Sequence, residues 1–124
     1  MEFVASPLSP DEEVLFEHGR LLFNAGKYWH AHESWEGVWN CLKRRNATPE
    51  EILLVQGLIQ TAALLYHHEH KNHVGILKQW VKLVTKLDGW EHAWGVDVKK
   101  HLQTIKSFVS EEGIVNIEPN TVQL

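Results

Sequence analysis

The 124-residue chain is 44% hydrophobic and 23% charged, a globular balance that a single hydrophobic core satisfies without disulfides or a structural metal. Its net charge of −4, with basic residues scattered except at Lys43-Arg44-Arg45, supplies no field for gathering phosphates, so nucleic acid is not an expected partner. Cys41 is the only cysteine, which excludes an intramolecular disulfide and suits a reducing compartment.

From the start of the chain, Met1 to Pro10 lacks the basic start and apolar run of a signal peptide, so a cytoplasmic location is expected. Ser9-Pro10-Asp11-Glu12 opens a first helix: Ser9 can cap, Pro10 suits the first turn, and Glu12 completes a capping box. The helix ends near Asn24-Ala25-Gly26, where Gly26 suits the left-handed conformation that closes a helix. So short a link makes the second helix, about Lys27 to Arg45, pack antiparallel to the first. Thr48-Pro49-Glu50-Glu51 repeats the cap pattern and opens a third helix running to about His70. Its apolar stretch, Ile52 to Tyr66, is interrupted by Gln56, Gly57 and Gln60 and is too short to span a bilayer, so it reads as a buried central helix and no membrane partner is expected.

Asn72 is the expected cap of a fourth helix that ends near Asp88-Gly89. Trp90 to Gly95 reads as a turn or a single helical turn, and Asp97 to Ser110 as a fifth helix. The expected fold is therefore all-α, an antiparallel bundle of about five helices with helix three central. It forms one domain over residues 1–124, with 1–8 and 114–124 as extended or poorly ordered arms. The expected core comprises Phe16, Leu22, Trp35, Val38, Leu54, Leu58, Ile59, Ala62, Leu65, Ile76, Leu83 and Phe108.

At 3.6 residues per turn, the second helix sets Tyr28, Ala31, Trp35, Val38 and Leu42 on an apolar stripe, with His32, Glu36 and Trp39 along its edge. His32 and Glu36 stand one turn apart, where an imidazole and a carboxylate can share a ligand or pair with each other. Helix three carries Gln56, Gln60 and His67 on one line, and a buried amide costs about 1–3 kcal/mol unless hydrogen-bonded. A hairpin about Asn46-Ala47 would set Trp39 near Gln56, Glu36 near Gln60, and His32 near Ala63 and His67. The smallest candidate site is thus His32, Glu36, Gln60 and His67, with Trp39, Gln56 and Asn72 around it.

Three readings of this site stay open. His32, Glu36 and His67 are candidate ligands for zinc, manganese or iron, with Glu36 as a candidate catalytic base. The same groups could bind a small molecule, or they could form a polar network that only fixes helix register.

These residues resemble a bacterial and archaeal group, domain-of-unknown-function family 309. Its H-x-x-x-E-x-x-W signature is matched by His32, Glu36 and Trp39, and its lead-in by Phe23, Asn24, Gly26, Tyr28 and Trp29. A second block resembles Gln56-Gly57-Leu58-Ile59-Gln60, Ala62-Ala63 and Tyr66-His67, followed by Asn72 and Gly75. The likeness runs from about Leu15 to Leu87. Where the family often has Gly-Asn this chain has Lys71-Asn72, so a slightly different turn is expected there. What the resemblance implies is an all-helical fold and the generic label of predicted metal-dependent hydrolase, a label that itself rests on the His/Glu motif.

Other signals compete. His68, His70 and His73 cluster at the end of helix three, a position that favours solvent and the helix dipole or adventitious metal binding. Trp90 and Trp94 are candidate exposed residues for a homodimer contact. No serine, threonine or cysteine sits in a nucleophile motif and no glycine-rich loop could cradle phosphate. The Ala25-Gly26-Lys27-Tyr28 turn is also similar to tetratricopeptide hairpins, though no 34-residue repeat follows. The alternative function is accordingly a helical-hairpin binding module.

Overall fold

The computed structural model describes residues 3–109 and 123–124. Among them are five helices and one small hairpin: α1 Pro10–Asn24, α2 Tyr28–Arg44, α3 Pro49–Glu69, α4 His73–Leu87, β1 His92–Ala93, β2 Val96–Asp97 and α5 Val98–Lys106. The chain is an all-α bundle in which α3 packs against α2 on one side and α4 on the other, while α1 packs on α2. No helix among the described residues is long and apolar enough to cross a membrane.

The helix starts are those the cap residues dictate. Ser9 Oγ accepts from Glu12 N and the Glu12 carboxylate accepts from Ser9 N, a reciprocal capping box. Thr48 accepts from Glu51 N, and its hydroxyl donates to Glu51 Oε1 at 2.7 Å. Asn72 Oδ1 accepts from Gly75 N.

The helix ends share one backbone arrangement. After α1, Lys27 N donates to Leu22 O and Gly26 N to Phe23 O, with Gly26 at φ 78°. The same pair of bonds closes α2, from Ala47 to Leu42 and Asn46 to Lys43, and α3, from Asn72 to His67 and Lys71 to His68. All three are Schellman ends, which occupy carbonyls the helix leaves unpaired. Lys71 takes φ 54°. This turn thus places a lysine in the left-handed region, where a Cβ is strained.

The core gathers Phe16, Trp35, Val38, Leu54, Leu58, Ile59, Ala62, Leu65, Ile76, Leu83 and Phe108 as expected, and Leu22 stands at its margin, half-buried. Trp35 fills the space beside Gly19, where a Cβ would come within 2.5 Å of the indole, so only glycine lets α1 and α2 approach this closely. Trp35 Nε1 donates to Phe16 O, which satisfies its polar edge inside the core.

The segment after α4 departs from expectation. Instead of a turn it holds an antiparallel pair, His92 opposite Asp97 and Ala93 opposite Val96, with Trp94 at φ 49° and Gly95 at φ 79° as a two-residue primed turn. Neither tryptophan is the exposed residue expected: Trp90 is buried and Trp94 half-buried. Trp90 is 3% exposed and packs on Phe3, while Trp94 packs edge-on to Phe16 and donates from Nε1 to Ser6 O at 2.7 Å. The reason lies in the arm at 3–8, which returns across the molecule and is pinned by Ser6 N donating to Glu51 Oε2. The fifth helix ends at Lys106, short of the expected Ser110. Most of the expected C-terminal arm lies outside the described residues, but Gln123 and Leu124 are seated on α1.

Candidate functional site

The hairpin of α2 and α3 brings Trp29 against Tyr66, with ring centroids 5.5 Å apart. That contact belongs to the pairing register expected from Asn46-Ala47. One turn along α2, the His32 imidazole stacks on Trp29 at 5.1 Å and 18° between planes. His32 Nδ1 approaches Glu36 Oε1 to 3.2 Å, one turn further on. The approach lacks hydrogen-bond alignment, and Nδ1 is shielded from water without another partner. Sequence spacing had implied this pair, and the structure makes it.

His67 is committed elsewhere. Asn72 Nδ2 donates to its Nδ1 at 3.3 Å, and its ring lies on Gly75, where a Cβ would come within 2.6 Å of Cγ. Burial first, and the neighbouring His70 second, hold its pKa below the ordinary imidazole value. Gln60 finds its partner on the side of α3 away from α2: Lys86 Nζ, from α4, donates to Gln60 Oε1 at 3.0 Å. Burial, then Lys82, lowers the pKa of Lys86. The facing-lines expectation missed this because α3 is sandwiched and its half-buried amide can be reached from either neighbour. Gln56 is half-buried on the same helix.

Trp39 is half-buried, with Lys43 Nζ 3.3 Å from its ring centroid in a cation–π contact and its own Nε1 shielded without a hydrogen-bond partner. Tyr28 is the first residue of α2, at the opposite end of the helix. Its hydroxyl is buried without a partner, and burial first, with the Glu69 charge second, pushes its pKa up to about 12.

The expected ligand trio of His32, Glu36 and His67 does not form a metal-holding group. No set of three His, Cys, Asp or Glu side chains among the described residues is placed to hold an ion. The Nδ1 lone pair of His67, which a metal would need unless it bound Nε2, accepts from Asn72. The histidine cluster is likewise dispersed: His70 Nδ1 lies 2.8 Å from Tyr66 O, His68 packs edge-on to Phe108, and His73 is exposed.

What sequence reasoning missed is an aromatic and imidazole row: His32 on Trp29, Trp29 on Tyr66, and Tyr66 on His70 at 4.3 Å. Trp29 is 53% exposed, against 0% for Trp35 on the same helix. The available signal was spacing. Trp29 falls three residues before His32 and so shares its helix face.

No curated protein and no solved structure matches the chain. The family described as a domain of unknown function (DUF309) matches residues 16–79, a span that contains the whole row and every residue of the expected site. More than half of the sequence is covered, and the likeness first read from the His32/Glu36/Trp39 signature holds across α2 and α3: the chain belongs to the DUF309 family.

Proposed function

We propose that the chain is a helical-hairpin binding module whose recognition surface is the row of Trp29, His32 and Tyr66, with Glu36 as its charge. The observation that carries this reading is Trp29, a large aromatic that is more than half exposed yet stacked on His32 of its own helix and packed at a tilt against Tyr66 of α3. An exposed indole held this way loses little conformational entropy on binding, which is what makes rigid aromatics effective anchors. A carboxylate two turns along the same helix favours a ligand bearing a cationic group, a guanidinium or an alkylammonium, which can lie on the indole and face the charge. The chain's net charge of −4 is in keeping with such a ligand.

The metal-dependent hydrolase label asks for a third ligand beside His32 and Glu36, and none of the described residues is placed to supply it. Two measurements separate the readings. A peptide library with arginine or lysine fixed at one position should be retained by the protein and lost with Trp29→Ala, while melting shifts by no more than about 0.5 kcal/mol because the residue is on the surface. Retention indifferent to Trp29 would overturn the proposal. Zinc, manganese and iron should leave melting unchanged, whereas a bound ion at 100 times its dissociation constant would add about 2.7 kcal/mol, abolished by His32→Ala.

A further inference from the structure

Arg20 and Asn24 stand one turn apart near the end of α1, and both reach Leu124. Asn24 does so with both ends of its carboxamide: Oδ1 accepts from Leu124 N at 2.7 Å, and Nδ2 donates to Leu124 O at 3.3 Å. This is how an amide side chain reads an extended main chain, filling the donor and acceptor that a neighbouring strand would fill. Arg20 Nε donates to the same Leu124 oxygen at 3.1 Å, and Arg20 Nη2 to Gly95 O at 3.2 Å, which ties the β1–β2 turn to the clamp. Gln123 Nε2 donates to Asn24 O, and the Leu124 side chain packs against the hydrophobic core.

These contacts border a cleft of about 390 Å³ between α1, the hairpin and α5, lined by Arg20, Lys100, His101 and Thr104 as well as the seated tail. His101 is 4% exposed, and its Nδ1 has no hydrogen-bond partner. The cleft thus offers the Arg20 and Lys100 cations beside the Asp97 carboxylate, and a clamp whose bonds to Leu124 all go to main-chain atoms.

We propose that this cleft is a peptide-binding site for an extended segment bearing a leucine-sized aliphatic residue, and that Gln123–Leu124 occupies it as an intramolecular ligand. None of the clamp's contacts with Leu124 requires that residue to be covalently part of the same chain. Because they read main chain and one aliphatic side chain, a segment of another molecule with that geometry fits equally well. The tail competes at an effective concentration on the order of millimolar, so the site opens to an outside peptide as the tail is displaced.

The test uses a fluorescein-labelled peptide of residues 115–124 and fluorescence anisotropy on the full chain. Leu124→Asp puts a carboxylate against the core and unseats the chain's own tail, so the peptide should bind this variant at least about ten-fold more tightly than the wild type, since the competitor at millimolar effective concentration is removed. Adding Asn24→Ala to Leu124→Asp should remove that binding, and circular dichroism should show the helices intact; should Asn24→Ala fail to fold, Arg20→Gln replaces it with the same expected loss. Equal binding to wild type and Leu124→Asp, no binding to either, or binding that persists without the clamp side chain would overturn the proposal.

Discussion

Glu12 and Arg45 join the first turn of α1 to the end of α2 through a two-pronged ion pair, with Arg45 Nε 2.8 Å from Glu12 Oε2 and Nη2 3.2 Å from Oε1. Glu12 is buried, and the hydrogen bond from Arg45 outweighs the opposing effect of burial and draws its pKa below the ordinary 4.5. A carboxylate depressed in the folded state adds stability above its unfolded pKa and loses it as pH falls through the folded one. Glu12→Gln keeps a capping side chain but ends the ion pair, and should cost about 1–2 kcal/mol at neutral pH, moderated by the partial exposure of Arg45. Chemical denaturation across pH should show the two proteins starting to converge as pH falls below 4.5 and meeting once the lowered pKa of folded Glu12 is passed and its carboxylate is protonated.

A different acid window belongs to His101. Thr61 spends its hydroxyl proton on Leu58 O, so it accepts from His101 Nε2 at 3.1 Å and leaves Nδ1 as a bare lone pair in the core. Protonation there buries a charge, and burial pushes the pKa down to about 4. The unfolded chain binds this proton below about pH 6.5 and the folded chain does not, so stability falls as pH drops from there to about 4, by roughly 3 kcal/mol in total. His101→Gln, which retains a donor for Thr61, should flatten the denaturation profile between those limits. An unchanged slope would show that His101 is not the group responsible.

Lys71 holds a left-handed conformation at the end of α3 that suits glycine better. A left-handed non-glycine residue costs about 1–2 kcal/mol, and glycine returns about 0.5–1 kcal/mol of that through the entropy of the unfolded chain. Lys71→Gly should therefore stabilise the protein by up to about 1 kcal/mol, read as a higher denaturation midpoint at unchanged slope.

Gly75 tests how firmly His67 is held. A methyl group there would meet the imidazole inside van der Waals contact, and Asn72 anchors both the ring and the start of α4. Gly75→Ala should cost about 1–3 kcal/mol through overpacking, and should move the His67 ring resonances in a proton NMR titration. A variant as stable as the wild type with unmoved resonances would mean that the ring has room to retreat.

Local chemistry was readable in the sequence wherever a few adjacent residues decide the outcome. Ser9 with Glu12, Thr48 before Pro49, Asn72, and Gly26 each act within one helical turn, and each does what its side chain or lack of one requires. The α2–α3 register was readable too, because a short link leaves antiparallel helices little freedom. What escaped depends on distant chain. Trp90 and Trp94 look exposed until the arm at 3–8 is laid over them, and Gln60 has no preferred partner until α4 brings Lys86 beside it. Trp29 and Trp35 are alike in composition and differ only in angle about α2, and the site turns on that difference.

The repeated closing bonds of α1, α2 and α3 bear on the order in which the molecule assembles. Each turn is specified by residues at most five apart, so the four-helix meander can form from neighbouring contacts, the kind of topology that folds fast. Two belts then fasten it. Ser6 reaches Glu51 and Trp94 across separations of 45 and 88 residues, and Leu124 reaches Arg20 across 104. Closing such loops carries an entropic cost before any contact rewards it, so the belts form late and open first. The helices therefore supply a scaffold that stands before its fastenings do, and undoing a belt exposes Trp90, Trp94 or the α1 clamp without unravelling the bundle beneath.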